Sequence, residues 1–496
     1  MINDLHKNKE KQQWLSYAWL FLGAILMYFS NWTWVLPAAT WIFSVFLIRF
    51  SRTQKVGFGL LILCLVSIIV GIISMWRLLS IDAIPPSFRV VSGLAVGIVF
   101  FIPFLADRVI APKMSGLIAT LVFPCSWVAL EYVKALGNGS WGALAYTQYG
   151  NLPLMQLSSI TGIWGLSFLI TWFASIVNFA WEQQFAWCKI RKITIFYGLI
   201  LFFVFLYGYG CLATSEEPTD KVCIAAVTNP QDFASRFYGP DWTDRTLAYK
   251  NMQKDLNYFF KASSKAAHAG AQIVFWQEYA VCVMEENEKE FIAQAKKIAK
   301  EEQIYLAMAI GLFPLNFPEQ PWKNKLIWID RSGKTINEYL KLKPAPPLEP
   351  IVPGEGGIPI MDTVYCKIAS AICTEQDYPS LIRQASTADA QILVIPAQAW
   401  RAVDPLHTHM GIYRAIENGL SLIKGTGGGL SIAVDPYGRV INSSDYSKFS
   451  ENQMISCLST KGIVTIYSRI GDAFAWLCIL GFVTISAWGY FIKQRQ

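Results

Sequence analysis

The chain has 496 residues, 53% hydrophobic and 16% charged, with a net charge of +7 and a mean hydropathy of +0.34. That balance excludes a disordered chain and an ordinary soluble protein, and 19 Trp with 31 Phe suit a membrane protein. The positive residues fall in short clusters between apolar runs, not in a basic stripe with interleaved aromatics, which argues against nucleic acid as a partner.

A membrane-spanning helix needs roughly 20 apolar residues. Seven candidates precede residue 215, at about 14–30, 32–50, 56–79, 88–110, 115–135, 158–182 and 193–213, and an eighth runs over about 470–492. The first has no clear small-residue cleavage site and leads straight into the second, so it reads as retained and not as a signal peptide. Lys7, Lys9 and Lys11 precede the first span; Arg49, Arg52 and Lys55 follow the second; Arg108 and Lys113 follow the fourth. Lys189, Arg191 and Lys192 follow the sixth, and Lys493 and Arg495 follow the last. With eight spans all of these share one side, which the positive-inside rule makes cytoplasmic. The long segment between spans seven and eight is then outside.

Residues 214–469 change character. Charges become frequent, and apolar runs shrink to strand length in "KVCIAAVT", "AQIVFWQ", "IYLAMAIG", "NKLIWID", "TINEYL", "CKIASAI", "AQILVIPA" and "GLSIAVD". Helical patterns cover 242–267, 287–302 and 407–419. Strands interleaved with helices predict an α/β domain. The expected organisation is a seven-helix transmembrane bundle over 1–213, a globular domain over 214–469 and a C-terminal transmembrane helix over 470–496.

Of ten cysteines, five fall in the polar part: Cys223, Cys282, Cys366, Cys373 and Cys457. An odd number leaves at least one free thiol there, and which of them pair stays open. No CxxC or Cys/His zinc spacing occurs, and His407 and His409 have no evident third ligand, so no metal is expected. The glycines of "GEGG" and "GTGGG" precede neither a P-loop lysine nor a dinucleotide fingerprint, and no cofactor is expected. Glu131, acidic in an apolar setting, is either a functional group or a side chain reaching the outer interface.

Three reactive side chains sit at equivalent places: Glu278 ends "QIVFWQE", Lys341 ends "TINEYLK" and Cys373 ends "IASAIC". Functional groups gather at the carboxyl ends of strands in α/β sheets. A carboxylate can take the proton of a thiol, and an ammonium can stabilise the thiolate and the oxyanion formed when it attacks a carbonyl. Lys343 is a rival to Lys341; the spacing to Glu349 favours Lys341.

The order Glu–Lys–Cys with these flanks resembles the carbon–nitrogen hydrolase (nitrilase) superfamily. That likeness implies an α-β-β-α sandwich with Glu278 as general base, Lys341 as oxyanion-stabilising lysine and Cys373 as nucleophile. Glu349 in "KLKPAPPLE" and Glu375, two residues past the thiol, match supporting acids of the family. Further stretches resemble the apolipoprotein N-acyltransferase family: "SWVALEYVKALGNGSWGALAYTQYGNLPLMQLSSITGIWGLSFL" (126–169), "VTNPQD" (227–232), "YRAIENGLSLIKGT" (413–426) and "YSRIGDAFAWL" (467–477). Trp242 falls where that family places an aromatic, and packing is its expected role. The chain departs from the family at Gln277, where Pro is usual, at Thr374, where Tyr is usual, and at "GTGGG" (425–429).

The resemblance implies a monomeric inner-membrane enzyme with a periplasmic catalytic domain. Its expected acyl donor is a membrane phospholipid, and its acceptor the N-terminal amine of a diacylated apolipoprotein. Two other readings of the same residues are a membrane-anchored nitrilase-type amidase and an inactive membrane scaffold or transporter.

Overall fold

The structure is a computed structural model and describes residues 2–30, 34–81, 84–215, 219–229, 244–317, 319–345, 349–445 and 453–495. It divides into two compact units: Met1–Ser80, Pro85–Ala213 and Asp472–Gln496 form one, and Ile81–Ile84 with Thr214–Gly471 form the other.

The first unit is helical. Six helices among the described residues are long and apolar enough to cross a membrane: Val56–Leu78, Pro86–Lys113, Gly116–Asn138, Ile163–Glu182, Trp187–Ala213 and Ala473–Phe491. The protein is therefore a multi-pass membrane protein. The first two expected spans are also helices, but shorter as apolar elements. Only Trp14–Tyr28 of the first is apolar, and the second, Pro37–Thr53, has 17 residues. Eight spans are thus not established by length. The expected span over 158–182 is also cut back. Gly162, at φ 64°, ends the four-residue helix Ser158–Thr161, and the long helix starts at Ile163.

Helices Val56–Leu78 and Pro86–Ile110 pack backbone to backbone. A Cβ on Gly93 would lie 2.4 Å from Ile72 Cα, and one on Gly97 2.4 Å from Ile68 Cα. Gly93 and Gly97 form a GxxxG pair, the spacing that lets lipid-embedded helices approach closely.

The second unit holds two sheets. One orders its strands β13-β1-β2-β4-β5-β6, with β3 also on β4; the other runs β12-β11-β10-β9-β8-β7. In the first, β1 is Lys221–Val227, β2 Ile273–Trp276, β3 Cys282–Met284, β4 Tyr305–Phe313, β5 Lys323–Ile329, β6 Thr335–Leu340 and β13 Gln453–Ser459. In the second, β7 is Ile360–Asp362, β8 Lys367–Ser370, β9 Ile392–Gln398, β10 Ser421–Gly427, β11 Leu430–Val434 and β12 Val440–Asp445. β2, β4, β9 and β10 are buried along their whole length, as strands covered on both faces must be.

Glycine lets the two sheets touch. A Cβ on Gly425 of β10 would lie 2.8 Å from the Phe275 ring and 2.9 Å from Ala226 Cβ. Helices Arg245–His268 and Glu288–Glu301 cover the outer face of the first sheet through Met252, Leu256, Phe259, Phe291 and Ala295. Pro379–Thr387 and Leu406–Asn418 lie on the side of the second sheet. The result is the expected α-β-β-α sandwich. Cys223 of β1 and Cys457 of β13 are opposite in register and joined by a disulfide, the pairing the sequence left open.

Candidate active site

Chain ends from both sheets meet at one buried cluster. Glu278 follows β2 by two residues, Lys341 follows β6 directly, and Cys373 opens the 3-10 turn Cys373–Asp377 after β8. Lys341 Nζ donates to Glu278 Oε1 at 2.8 Å and to Glu349 Oε2 at 2.6 Å. Glu278 Oε2 accepts from the Gln398 backbone N–H at 3.1 Å, and Cys373 Sγ donates to the Gln398 carbonyl at 3.5 Å. Gln398 thus touches both the carboxyl and the thiol through its backbone. Cys373 is 5% exposed, Glu278 2% and Lys341 1%. The thiol sits at φ 46°, in the left-handed region that non-glycine residues rarely adopt.

The two supporting acids have different tasks. Glu349 accepts from Lys341, from Tyr279 OH at 2.6 Å, from Asn324 Nδ2 at 3.2 Å and from the Ala345 N–H at 2.7 Å. It fixes the lysine. Glu375 does not touch Lys341. It accepts from the Ile372 N–H at 2.6 Å, the Leu342 N–H at 2.6 Å and Tyr339 OH at 2.5 Å, tying the thiol's turn to the strand end that carries the lysine. Lys343, the rival, lies over the Tyr378 ring at 5.0 Å instead. Trp242 and the loop from residue 230 lie outside the described residues.

Burial dominates the electrostatics. It pushes the Glu278 carboxyl above the ordinary carboxylate range, against the pull of Lys341. Burial and the Glu278 charge hold the Cys373 thiol well above its ordinary value. Lys341 stays charged because Glu278 and Glu349 outweigh its own desolvation. The cluster therefore holds a protonated thiol beside a charged lysine. Glu278 is the carboxyl placed to exchange a proton with such a thiol.

Further residues complete the cluster, and of these Asn324, Asp377 and Lys424 were not singled out in the sequence. Asn324 donates to Glu278 at 2.8 Å and to Glu349. It lies in β5, at the start of the expected strand "NKLIWID", where a lone amide in an apolar run was the signal. Gln277 accepts from the Asn229 N–H at 2.6 Å and donates to Gln398 at 2.8 Å. These are bonds proline could not make, so the departure at 277 belongs to a different local network. Asp377, the last residue of the thiol's turn, is buried, as are Lys424 and His407 against that turn. His407 pairs with Asp377 at 3.1 Å and with Lys424, so its neighbours are an acid and an amine. Among the described residues no group of three metal ligands occurs.

A buried Glu–Lys–Cys cluster at the strand ends of an α-β-β-α sandwich defines the carbon–nitrogen hydrolase class of domain. The chain matches the Carbon-nitrogen hydrolase family over residues 224–461 and the Apolipoprotein N-acyltransferase N-terminal domain over residues 11–176. It is 27% identical over 403 residues to the apolipoprotein N-acyltransferase of Geobacter metallireducens, covering 75% of this chain and 74% of that one. It is 23% identical over 394 residues to that of Rickettsia prowazekii, covering 74% and 75%. Among solved structures, an amidase from Nesterenkonia sp. aligns with a TM-score of 0.41 at 20% identity, over 51% of this chain and 94% of the amidase. The chain belongs to the apolipoprotein N-acyltransferase family.

Proposed function

We propose that the protein moves an acyl chain from a membrane phospholipid to the N-terminal amine of a diacylglyceryl-cysteine lipoprotein, through a thioester on Cys373. The observation that carries this reading is the meeting of Cys373, Glu278 and Lys341 in one buried cluster of a chain from this family. In the first half-reaction Cys373 Sγ attacks the ester carbonyl as its proton passes to Glu278. Lys341 and the backbone N–H of Thr374 stabilise the oxyanion, and the ester C–O bond breaks. The proton on Glu278 goes to the departing alkoxide, giving lysophospholipid. In the second, the lipoprotein α-amine attacks the thioester and gives a proton to Glu278, the C–S bond breaks, and the departing Cys373 thiolate takes that proton from Glu278.

Residues 1–213 and 470–496 are the membrane part in this reading, and 214–469 the catalytic domain, on the outer side of a bacterial inner membrane. Two features support that side. With eight spans the basic clusters fall in the opposite loops, and the Cys223–Cys457 disulfide suits an oxidising compartment.

Mass spectrometry of the protein incubated with phospholipid tests the reading. An acyl adduct on Cys373 that persists until a diacylated lipopeptide is added, then transfers to its amine, is expected. The Cys373→Ala variant should carry none. Steady release of free fatty acid without N-acylated lipopeptide would instead mean that water resolves the thioester, and would overturn the acyltransferase reading.

A further inference from the structure

Lys341 cannot by itself offset a sulfur anion, because two carboxylates already flank it at 2.8 and 2.6 Å. A second buried lysine is tied to the thiol's turn. Lys424, in the middle of β10, is 0% exposed. It pairs in register with Ile395 of β9, the strand whose last residue, Gln398, accepts from the Cys373 thiol. Lys424 Nζ reaches three acceptors: Gln376 Oε1 at 3.2 Å, His407 Nδ1 at 3.3 Å and the His407 carbonyl at 3.2 Å. Three acceptors match the three N–H bonds of an ammonium. With Nδ1 accepting, the ring proton of His407 lies on Nε2, and it faces Asp377 Oδ1 at 3.1 Å. The Gln376 side chain closes the ring by donating to the His407 carbonyl at 2.5 Å. Gln376 and Asp377 belong to the same turn as Cys373. The ammonium is therefore fastened to the nucleophile's own turn.

We infer that Lys424 is a positioning residue that holds a fixed positive charge beside Cys373 and biases the proton shared between Cys373 and Glu278 toward the carboxyl. The inference rests on the reading of Cys373 as the nucleophile. The charged and titratable groups around this pair are Glu278, Asp377, Asp404, Lys341, His407 and His409. Burial lowers the Lys424 pKa while Cys373, Asp377, Asp404 and Glu278 raise it, with the coupling to Cys373 largest and that to Glu278 smallest. A charge whose field is stronger at the sulfur than at the carboxyl stabilises thiolate with protonated Glu278 over thiol with carboxylate. His407 and His409 are held below the ordinary imidazole range, by burial and by Lys424, and so add no second cation. Asp377, across the imidazole, tempers the field of Lys424 with the opposite sign.

The test is the pH dependence of Cys373 alkylation by iodoacetamide, followed on the Cys373 peptide by mass spectrometry with the full chain in detergent. Lys424→Met should raise the midpoint by about one pH unit, which makes alkylation below it about tenfold slower. Lys424→Arg keeps the charge and should restore the midpoint. Asp377→Asn keeps an acceptor for His407 Nε2–H but removes the opposing charge, so its midpoint should fall. A merely structural role would not move the two variants in opposite directions. An unchanged midpoint in folded Lys424→Met, or an unchanged or higher one in Asp377→Asn, overturns the inference. If Lys424→Met does not fold, Asp377→Asn decides alone. Failure of the nucleophile reading shows separately, as absence of the acyl adduct on the native protein.

Discussion

Cys373 and Tyr279 sit at φ 46° and 54°, each at the bend where the chain leaves a strand for the site. Such conformations cost on the order of 1–3 kcal/mol each and persist only where the surroundings over-determine them. Here the surroundings are buried acids with several donors apiece, Glu375 for the thiol's turn and Glu349 for Tyr279. Tyr339→Phe removes one donor to the buried Glu375, and bonds to charged groups are worth about 1.5–3 kcal/mol. It should lower the thermal midpoint of the domain while leaving most of the acyl-adduct yield. Glu278→Gln keeps the shape but cannot receive the thiol proton, so adduct formation should slow by roughly 10²–10⁴-fold in single-turnover measurements. The pH profile follows from the sign of the Glu278 shift. The base works only when ionised, and its pKa is raised by burial. The acid limb of kcat/KM should therefore lie above the usual carboxylate range. A limb near pH 4 would contradict the buried-base account.

Two elements are held by close approach. β1 and β13 are distant in sequence, yet Cys223 and Cys457 are opposite partners separated by 234 residues and joined by a disulfide. Closing so long a loop restrains the unfolded chain, and native disulfides typically contribute about 2–4 kcal/mol. Cys223→Ala with Cys457→Ala should lower the thermal midpoint without abolishing the acyl adduct, since neither residue belongs to the site cluster. In the membrane part, Gly97→Leu would drive a side chain into the backbone of Ile68, within 2.4 Å of its Cα. We expect loss of folded protein in detergent, judged by size-exclusion chromatography, because overpacking two rigid helices leaves the larger residue nowhere to go.

For the whole molecule, the sidedness proposal is tested by a cysteine placed at Ser332, which is exposed in the turn between β5 and β6. A membrane-impermeant maleimide should label it in intact spheroplasts; labelling only after lysis would place the domain inside. Acid stability should also be limited. Burial and the Lys424 charge hold His409 at about 4 in the folded state, below the ordinary imidazole range. A proton that binds the unfolded chain first favours unfolding, so stability should fall as pH drops from about 6.5 toward 4 and be regained above it.

Much of this organisation is written in local pattern. Runs of apolar residues mark the long helices, short alternating or apolar runs mark strands, and an acid, an amine and a thiol at three strand ends mark the residues that the fold brings together. Those signals survive because burial period and membrane thickness act on neighbouring residues. Other features depend on which distant segments meet, and pattern does not carry that. Nothing local showed that Asn324 would donate to two buried acids, or distinguished Lys424 from any lysine in a strand. Gly162 cutting the expected span and the pairing of Cys223 with Cys457 were likewise decided by tertiary contact. Hydrogen bonds and charges buried between two sheets are set by the register in which the strands pack, and that register is a property of the folded chain.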